Sequence, residues 1–323
     1  MSDDQGLIMT GVSAEPRLDA PSGNGGLPCT REKPRRPVLR YHGGKWRIAT
    51  WILSHFPMHK IYVEPFAGAA SVLLRKEPAY CEVYNDLDDE LVTLFAILRD
   101  PAQSDLLRQA VSLTPFSRRE FENAYEVTDD PIEQSRRLIV RSFMGFGSAA
   151  TNRDVKTGFR ANGHRCNAHP ASDWANYPAA LRLVAERVRG VVIESDDALN
   201  VLRRHDRPDA LHYVDPPYMP EARSDKSRKS GGKYRCYRHE LDREGHEALL
   251  ECLVGLNGMV VLSGYASDLY RDVLGEWQVF RKKARADGAR PRTEHLWLNP
   301  VASAALKAEQ VQLDIIDLCE PTT

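Results

Sequence analysis

Short apolar runs alternate with helix-length amphipathic stretches over most of this sequence, and that alternation restricts the available folds more than any other feature it carries. After Lys45, the residues Ile48, Trp51, Ile52 and Phe56 recur at helical spacing. Strands are expected at 60–65 and 81–85, and helices at 70–76 and 90–98. From 100 to 177 the pattern turns mainly helical and polar around Met144-Gly145-Phe146-Gly147. It then resumes with a helix at 181–188, strands at 191–194 and 211–214, a helix at 243–255 and a strand at 258–263. Strand and helix alternating at this pitch build parallel βαβ units, so the fold class is α/β with a doubly wound sheet. Residues 1–38, rich in Gly, Pro, Ser and Asp, are expected to be a disordered tail. One α/β domain is then expected in two pieces, 39–99 and 179–310, interrupted by a helical insertion at 100–178 and followed by a C-terminal tail at 311–323. No internal repeat is present.

With 42% apolar and 28% charged residues in a chain of 323, collagen-like, disulfide-scaffold and wholly disordered classes are excluded. No run of 18 apolar residues occurs, so no membrane-spanning helix is expected, and the acidic start (Asp3, Asp4) lacks a signal-peptide pattern. The scattered cysteines (Cys29, Cys81, Cys166, Cys236, Cys252, Cys319) show no CxxC spacing and read as reduced thiols in a cytoplasmic chain. No metal site is expected either: His239 and His246 share a helical spacing without a third ligand, and a structural role is the plain reading. The net charge of −1 is an average. Residues 134–166 carry +6, residues 221–243 carry +4 and residues 281–292 carry +5, which leaves −16 for the remainder. Three such windows, two of them rich in Gly and Ser, favour a surface that contacts a polyanion over three unrelated solvated faces.

Two constellations carry chemistry. In Tyr62-Val63-Glu64-Pro65-Phe66-Ala67-Gly68-Ala69-Ala70 an apolar strand ends in a turn of small residues, which lets backbone approach a ligand. The next strand ends in Asp86, 18 residues beyond Gly68. An acid at about that distance in dinucleotide-type folds accepts hydrogen bonds from ribose hydroxyls, so a nucleoside-containing cofactor is expected. The three-glycine fingerprint of nicotinamide enzymes is absent. In the second, Leu211-His212-Tyr213-Val214-Asp215-Pro216-Pro217-Tyr218, a strand runs into an acid, two prolines and an aromatic. The prolines fix the backbone and donate nothing. Asp215 and the Pro216 carbonyl then offer two acceptors beside the flat ring of Tyr218, the surface that the exocyclic amine of a nucleobase requires.

Asp-Pro-Pro-Tyr after a strand, with Glu-Pro-Phe-Ala-Gly upstream, resembles the Dam-type (alpha-class) DNA adenine N6-methyltransferases over residues 39–300. The resemblance implies a Rossmann-like sheet that binds S-adenosylmethionine, with the helical insertion as target-recognition domain. It implies a catalytic set of Asp215, Pro216, Pro217 and Tyr218. Leu39-Arg40-Tyr41-His42-Gly43-Gly44-Lys45 resembles the family's N-terminal cofactor motif, so Tyr41 and Lys45 join Glu64, Phe66, Gly68, Asp86 and Asp215 as expected cofactor residues. Ala70 departs from the pattern, which usually has a second Gly there. Arg-Ser-Phe-Met-Gly-Phe-Gly-Ser and Val-Leu-Ser-Gly-Tyr also resemble phage-associated members. The implied activity is direct methyl transfer to N6 of an adenine flipped out of double-stranded DNA. Arg141, Arg153, Lys156, Arg160, Arg228, Lys229, Lys233 and Arg235 are the expected DNA contacts, and a cognate restriction endonuclease is a partner this reading leaves open. Glu294 and Trp297 read as part of a late strand with a packing tryptophan, and Trp46 and Trp51 as packing. The competing readings are N4-cytosine methylation, a DNA-binding module without catalysis, and a nicotinamide oxidoreductase.

Overall fold

The computed structural model describes residues 32–161, 169–219, 238–285 and 291–319. Residues Lys33–Thr323 form one compact unit; of the preceding unit, Met1–Glu32, only the last residue is described. Seven strands make one sheet: β1 (Ile61–Glu64), β2 (Cys81–Asn85), β3 (Val192–Glu194), β4 (Ala210–Val214), β5 (Met259–Gly264), β6 (Gln278–Arg285) and β7 (Pro291–Leu298), in the order β3-β2-β1-β4-β5-β7-β6. The first five run parallel, and β7 pairs antiparallel with both β5 and β6. Strand order therefore reverses between β1 and β4, and in doubly wound sheets ligands bind at such a switch point, beyond the carboxyl ends of the strands.

Helices α1 (Ala49–Leu53), α2 (Asp89–Arg99), α3 (Pro101–Leu113), α4 (Arg118–Asn123), α5 (Pro131–Met144), α6 (Pro170–Ala175) and α7 (Tyr177–Val188) precede β3. Beyond it come α8 (Ala198–Arg204), α9 (Arg243–Val254), α10 (Asp268–Val273) and α11 (Pro300–Cys319). Every residue of β4 and β5 is buried, as expected of central parallel strands covered on both faces. Leu211, Tyr213, Met259 and Val261 pack on one side with residues of α2, α5 and α7, whereas Val214, Val260 and Leu262 pack on the other with α9 and Tyr270. Leu107, Val111, Phe121 and Leu138 of the helical stretch belong to the first of these cores, continuous with Tyr84 and Leu94.

Most of the expected elements form within a residue or two of their expected limits, but three expectations are corrected. Residues 70–76 form successive turns rather than a helix. Ala70 has φ +51°, outside helical geometry, and the buried Glu64 carboxyl takes up the Leu73 N–H at 2.8 Å. Order starts before Leu39: Val38 is buried and its carbonyl accepts from the Tyr177 hydroxyl, while Arg36 pairs with Asp173 at 3.1 Å. The chain past 310 continues as α11 to Cys319. The late strand is present as β7, with Trp297 buried beside Tyr270. Trp46 and Trp51 are partly buried packing residues; Arg75 lies over the first and Lys282 over the second.

Candidate active site

The loops that leave β1, β2 and β4 meet in one cleft of about 950 Å³, counting the part that opens to solvent. The turn after β1 is tied to β2 by backbone and side chain: Ala67 N–H donates to the Asn85 carbonyl at 2.9 Å, and Asn85 Nδ2 donates to the Pro65 carbonyl at 2.9 Å. Gly68 stands at φ +52°, where only glycine is unstrained, and a Cβ there would lie 2.8 Å from the Tyr41 ring. Its N–H donates to Asp86 Oδ2 at 2.8 Å, and its carbonyl accepts from the buried Tyr84 hydroxyl at 2.9 Å. The glycine, the aromatic ring and the acid are thus one interlocked unit, drawn from three separate stretches of chain.

The acids of the cleft differ in charge state. Burial pushes the pKa of Asp86 up to about 6, against the pull of the Asp88 and Gly68 N–H groups that it accepts. It is ionised at neutral pH. Glu64 is buried deeper, and burial pushes its pKa up to about 8, with hydrogen bonds from the Tyr62 hydroxyl and the Leu73 N–H opposing the rise. Glu64 therefore holds its proton more tightly than Asp86 and is the less readily charged of the two.

Asp215 follows β4 and faces Lys45, which reaches in from the Gly43-Gly44 loop. The three hydrogens of the Lys45 ammonium find Asp215 Oδ2 at 2.9 Å, the Gly43 carbonyl at 3.0 Å and the Tyr218 hydroxyl. Burial raises the Asp215 pKa, Lys45 lowers it, and the charge of Glu294 raises it again. The Tyr218 hydroxyl also lies 3.3 Å from Asp215 Oδ1 and 3.2 Å from Glu294 Oε2. Glu294 Oε1 accepts from the Tyr265 hydroxyl at 3.0 Å, and the Tyr218 and Tyr265 rings pack 4.4 Å apart at 49°.

The seven expected cofactor positions, Tyr41, Lys45, Glu64, Phe66, Gly68, Asp86 and Asp215, all line this cleft, as does Pro217. Pro216 is buried at the end of β4, and Tyr218 meets the cleft through Lys45 and Asp215. Three further side chains join the site. Arg238 closes one side by pairing with Asp88 at 3.0 Å, and Glu294 and Tyr265 arrive through the antiparallel β5–β7 pairing. No local spacing signals them. His239 lines the cleft, whereas His246 is buried and shares a hydrogen bond of 2.9 Å with the Tyr270 hydroxyl.

The basic positions divide. Arg141 is corrected: its side chain is 1% exposed, pairs with Glu90 at 2.8 Å and donates to the Ala124 carbonyl at 2.7 Å, so it does not face a ligand. Arg136 and Arg137, part of the same charge window, are held by Glu133, each at 2.6 Å. Lys156 is exposed, and Arg153 and Arg160 are half-buried. Arg228, Lys229, Lys233 and Arg235 lie outside the described residues. In the same stretch the sequence reading assigns no role to Phe146, which is 71% exposed. It is held by its N–H to the Gly158 carbonyl at 2.8 Å and follows Gly145, where a Cβ would stand 2.6 Å from the Arg141 carbonyl.

Two comparisons bear on this geometry. DNA adenine methylases from Haemophilus influenzae and Vibrio cholerae are each 24% identical to the chain, over 194 and 197 residues. The matched stretch is 57% of this chain and 64% of the Haemophilus protein, and 58% and 67% for the Vibrio protein. The sequence pattern of a family described as D12 class N6 adenine-specific DNA methyltransferase matches residues 41–285, which hold the turn after β1, Asp86 and Asp215 to Tyr218; the chain belongs to that family.

Proposed function

We propose that the protein transfers a methyl group from S-adenosylmethionine to N6 of adenine in double-stranded DNA. The observation that carries this reading is the meeting, in one cleft, of the Gly68–Asp86 unit with Asp215, Lys45 and Tyr218. The residues fit the cofactor. Gly68 lets the Tyr41 ring and the turn close on each other, the ionised Asp86 suits ribose hydroxyls, and the acid-rich wall suits a cation. When bound, the cofactor supplies an electrophilic methyl group on a sulfonium centre.

The adenine N6 lone pair is delocalised into the ring and is a poor nucleophile. Asp215 and the Pro216 carbonyl would accept the two N6 hydrogens, favour a more pyramidal nitrogen and fix the direction of attack, so alignment and charge complementarity supply the catalysis. Lys45 holds Asp215 in place from the side of Oδ2. A duplex hides N6, so the base leaves the stack and packs against Tyr218. Lys156, Arg153 and Arg160 contact phosphate or base edges, and Phe146 of the same stretch is exposed. Among the described residues no helix is long and apolar enough to cross a membrane. A DNA substrate agrees with the cytoplasmic location expected from the sequence.

The deciding experiment incubates the protein with S-adenosylmethionine and mixed-sequence DNA and maps the modified bases. N6-methyladenine at one sequence context is expected. N4-methylcytosine would transfer the reading to the other exocyclic amine, and DNA retention without any modified base would favour a binding module.

A further inference from the structure

Resting on the methyl-transfer reading, we propose that Glu294 is a positioning residue that keeps Asp215 free for the substrate amine by taking the hydroxyl proton of Tyr218. The reason is one of hydrogen count. A tyrosine hydroxyl has a single proton to donate, and Tyr218 stands within reach of two carboxylates, Asp215 Oδ1 at 3.3 Å and Glu294 Oε2 at 3.2 Å. Its oxygen accepts from Lys45, which turns the proton away from the ammonium and toward the acids. If the proton went to Asp215, both of its oxygens would already carry a bond, Oδ1 from Tyr218 and Oδ2 from Lys45, and an incoming N6–H would have to share an oxygen whose lone pair and charge are partly spent.

Glu294 is built to win that competition. It is 8% exposed on β7, a strand of the sheet, on the same face as Leu296 and Leu298. The antiparallel register pairs Gly264 with His295, which brings Tyr265 opposite Glu294. Tyr265 donates to Oε1 at 3.0 Å, so the carboxylate cannot turn away, and Arg292 caps the Tyr265 ring at 5.1 Å. Oε2 is left aimed at Tyr218. The same contacts hold the Tyr218 ring, so its angle and its proton are set by one carboxylate.

The test uses the full-length protein, S-adenosylmethionine and a DNA duplex containing its mapped site, and reads single-turnover methyl transfer together with cofactor affinity. Glu294→Leu and Glu294→Met, two apolar replacements of different shape, remove both acceptors and guard against a folding failure of either. Each is expected to slow transfer roughly tenfold, the size of one competing hydrogen bond, with KM for cofactor and DNA within about twofold of wild type. Glu294→Gln keeps an acceptor oxygen for Tyr218 and an N–H for Tyr265, and should recover most of the rate. In a Tyr218→Phe background the loss from Glu294→Leu should vanish, because no proton remains to be diverted. A folded apolar variant with wild-type rate overturns the inference. So does equal loss in the Gln and Leu variants, or an undiminished loss in the Tyr218→Phe background. A wild-type protein that leaves no N6-methyladenine overturns the functional reading instead, and the two failures are thereby distinguished.

Discussion

At the carboxyl edge of the sheet, Lys45 and Asp215 line a cleft while bonded to each other and to Tyr218, which bonds in turn to Glu294, so polarity at the cleft remains available to a ligand. In the helical stretch, Arg136, Arg137 and Arg141 aim their guanidinium groups at Glu133 and Glu90, and Arg141 is sealed from solvent. Both regions are dense in charge along the sequence. They differ in where the backbone ends: strand termini leave side chains at the mouth of a crevice, whereas positions along α5 direct theirs to carboxylates of their own helix and of α2 and α4. A charge run on a helix thus says little about what its members contact, while a short motif at a strand end says a good deal.

The comparison can be broken most directly at Asp215. Asp215→Ala is expected to lower methyl transfer by about 10³-fold, the upper range for loss of one preorganised polar group, with a melting temperature near wild type. A fall in rate of less than tenfold would remove Asp215 from the chemistry. For the helical stretch the prediction inverts. Arg141→Ala leaves the buried Glu90 with only Arg153, 4.0 Å away, and should destabilise the fold by about 3 kcal/mol in chemical denaturation, whereas Lys156→Gln should leave stability unchanged and reduce the salt slope of DNA binding by about one.

Asp86 sharpens the comparison through pH. Its carboxyl, raised to about 6, is charged above that value and takes a proton below it, so cofactor affinity should fall as pH drops through 6. Asp86→Asn should weaken cofactor binding about tenfold at pH 8, the scale of a charge-assisted hydrogen bond, and flatten the pH dependence. A variant with the wild-type profile would show that another group titrates. The smallest effect is expected at Ala70, held at φ +51°. Ala70→Gly should stabilise the protein by about 0.5 kcal/mol, the residue of a left-handed penalty of roughly 1–2 kcal/mol less the chain entropy that glycine gives up.

What can be read from the sequence follows the same division. The ends of β1, β2 and β4 carry their own signals, an apolar run meeting a turn of small residues or a proline pair, and these signals place Gly68, Asp86 and Asp215. The unread parts depend on tertiary pairing. Glu294 and Tyr265 meet only because β7 runs back along β5, and Arg141 meets Glu90 across 51 residues of sequence. The turns at 70–76 read as a helix because Val72, Leu73 and Leu74 supply apolar residues, and apolarity alone does not reveal that Glu64 captures the Leu73 N–H. Pairing beyond the reach of a turn or one βαβ unit leaves no periodic trace.

The Arg141–Glu90 pair also limits how this protein can be rebuilt. Glu90 lies at the start of α2, two residues beyond Asp88, which caps that helix and receives Arg238 at the rim of the cleft. Anyone who grafts residues 100–178 from a relative brings in a new residue at position 141. Unless it is a cation of similar reach, the transplant strands a buried carboxylate directly behind the cofactor side of the cleft. The helical stretch cannot be exchanged as a detachable part; the graft has to carry its arginine with it.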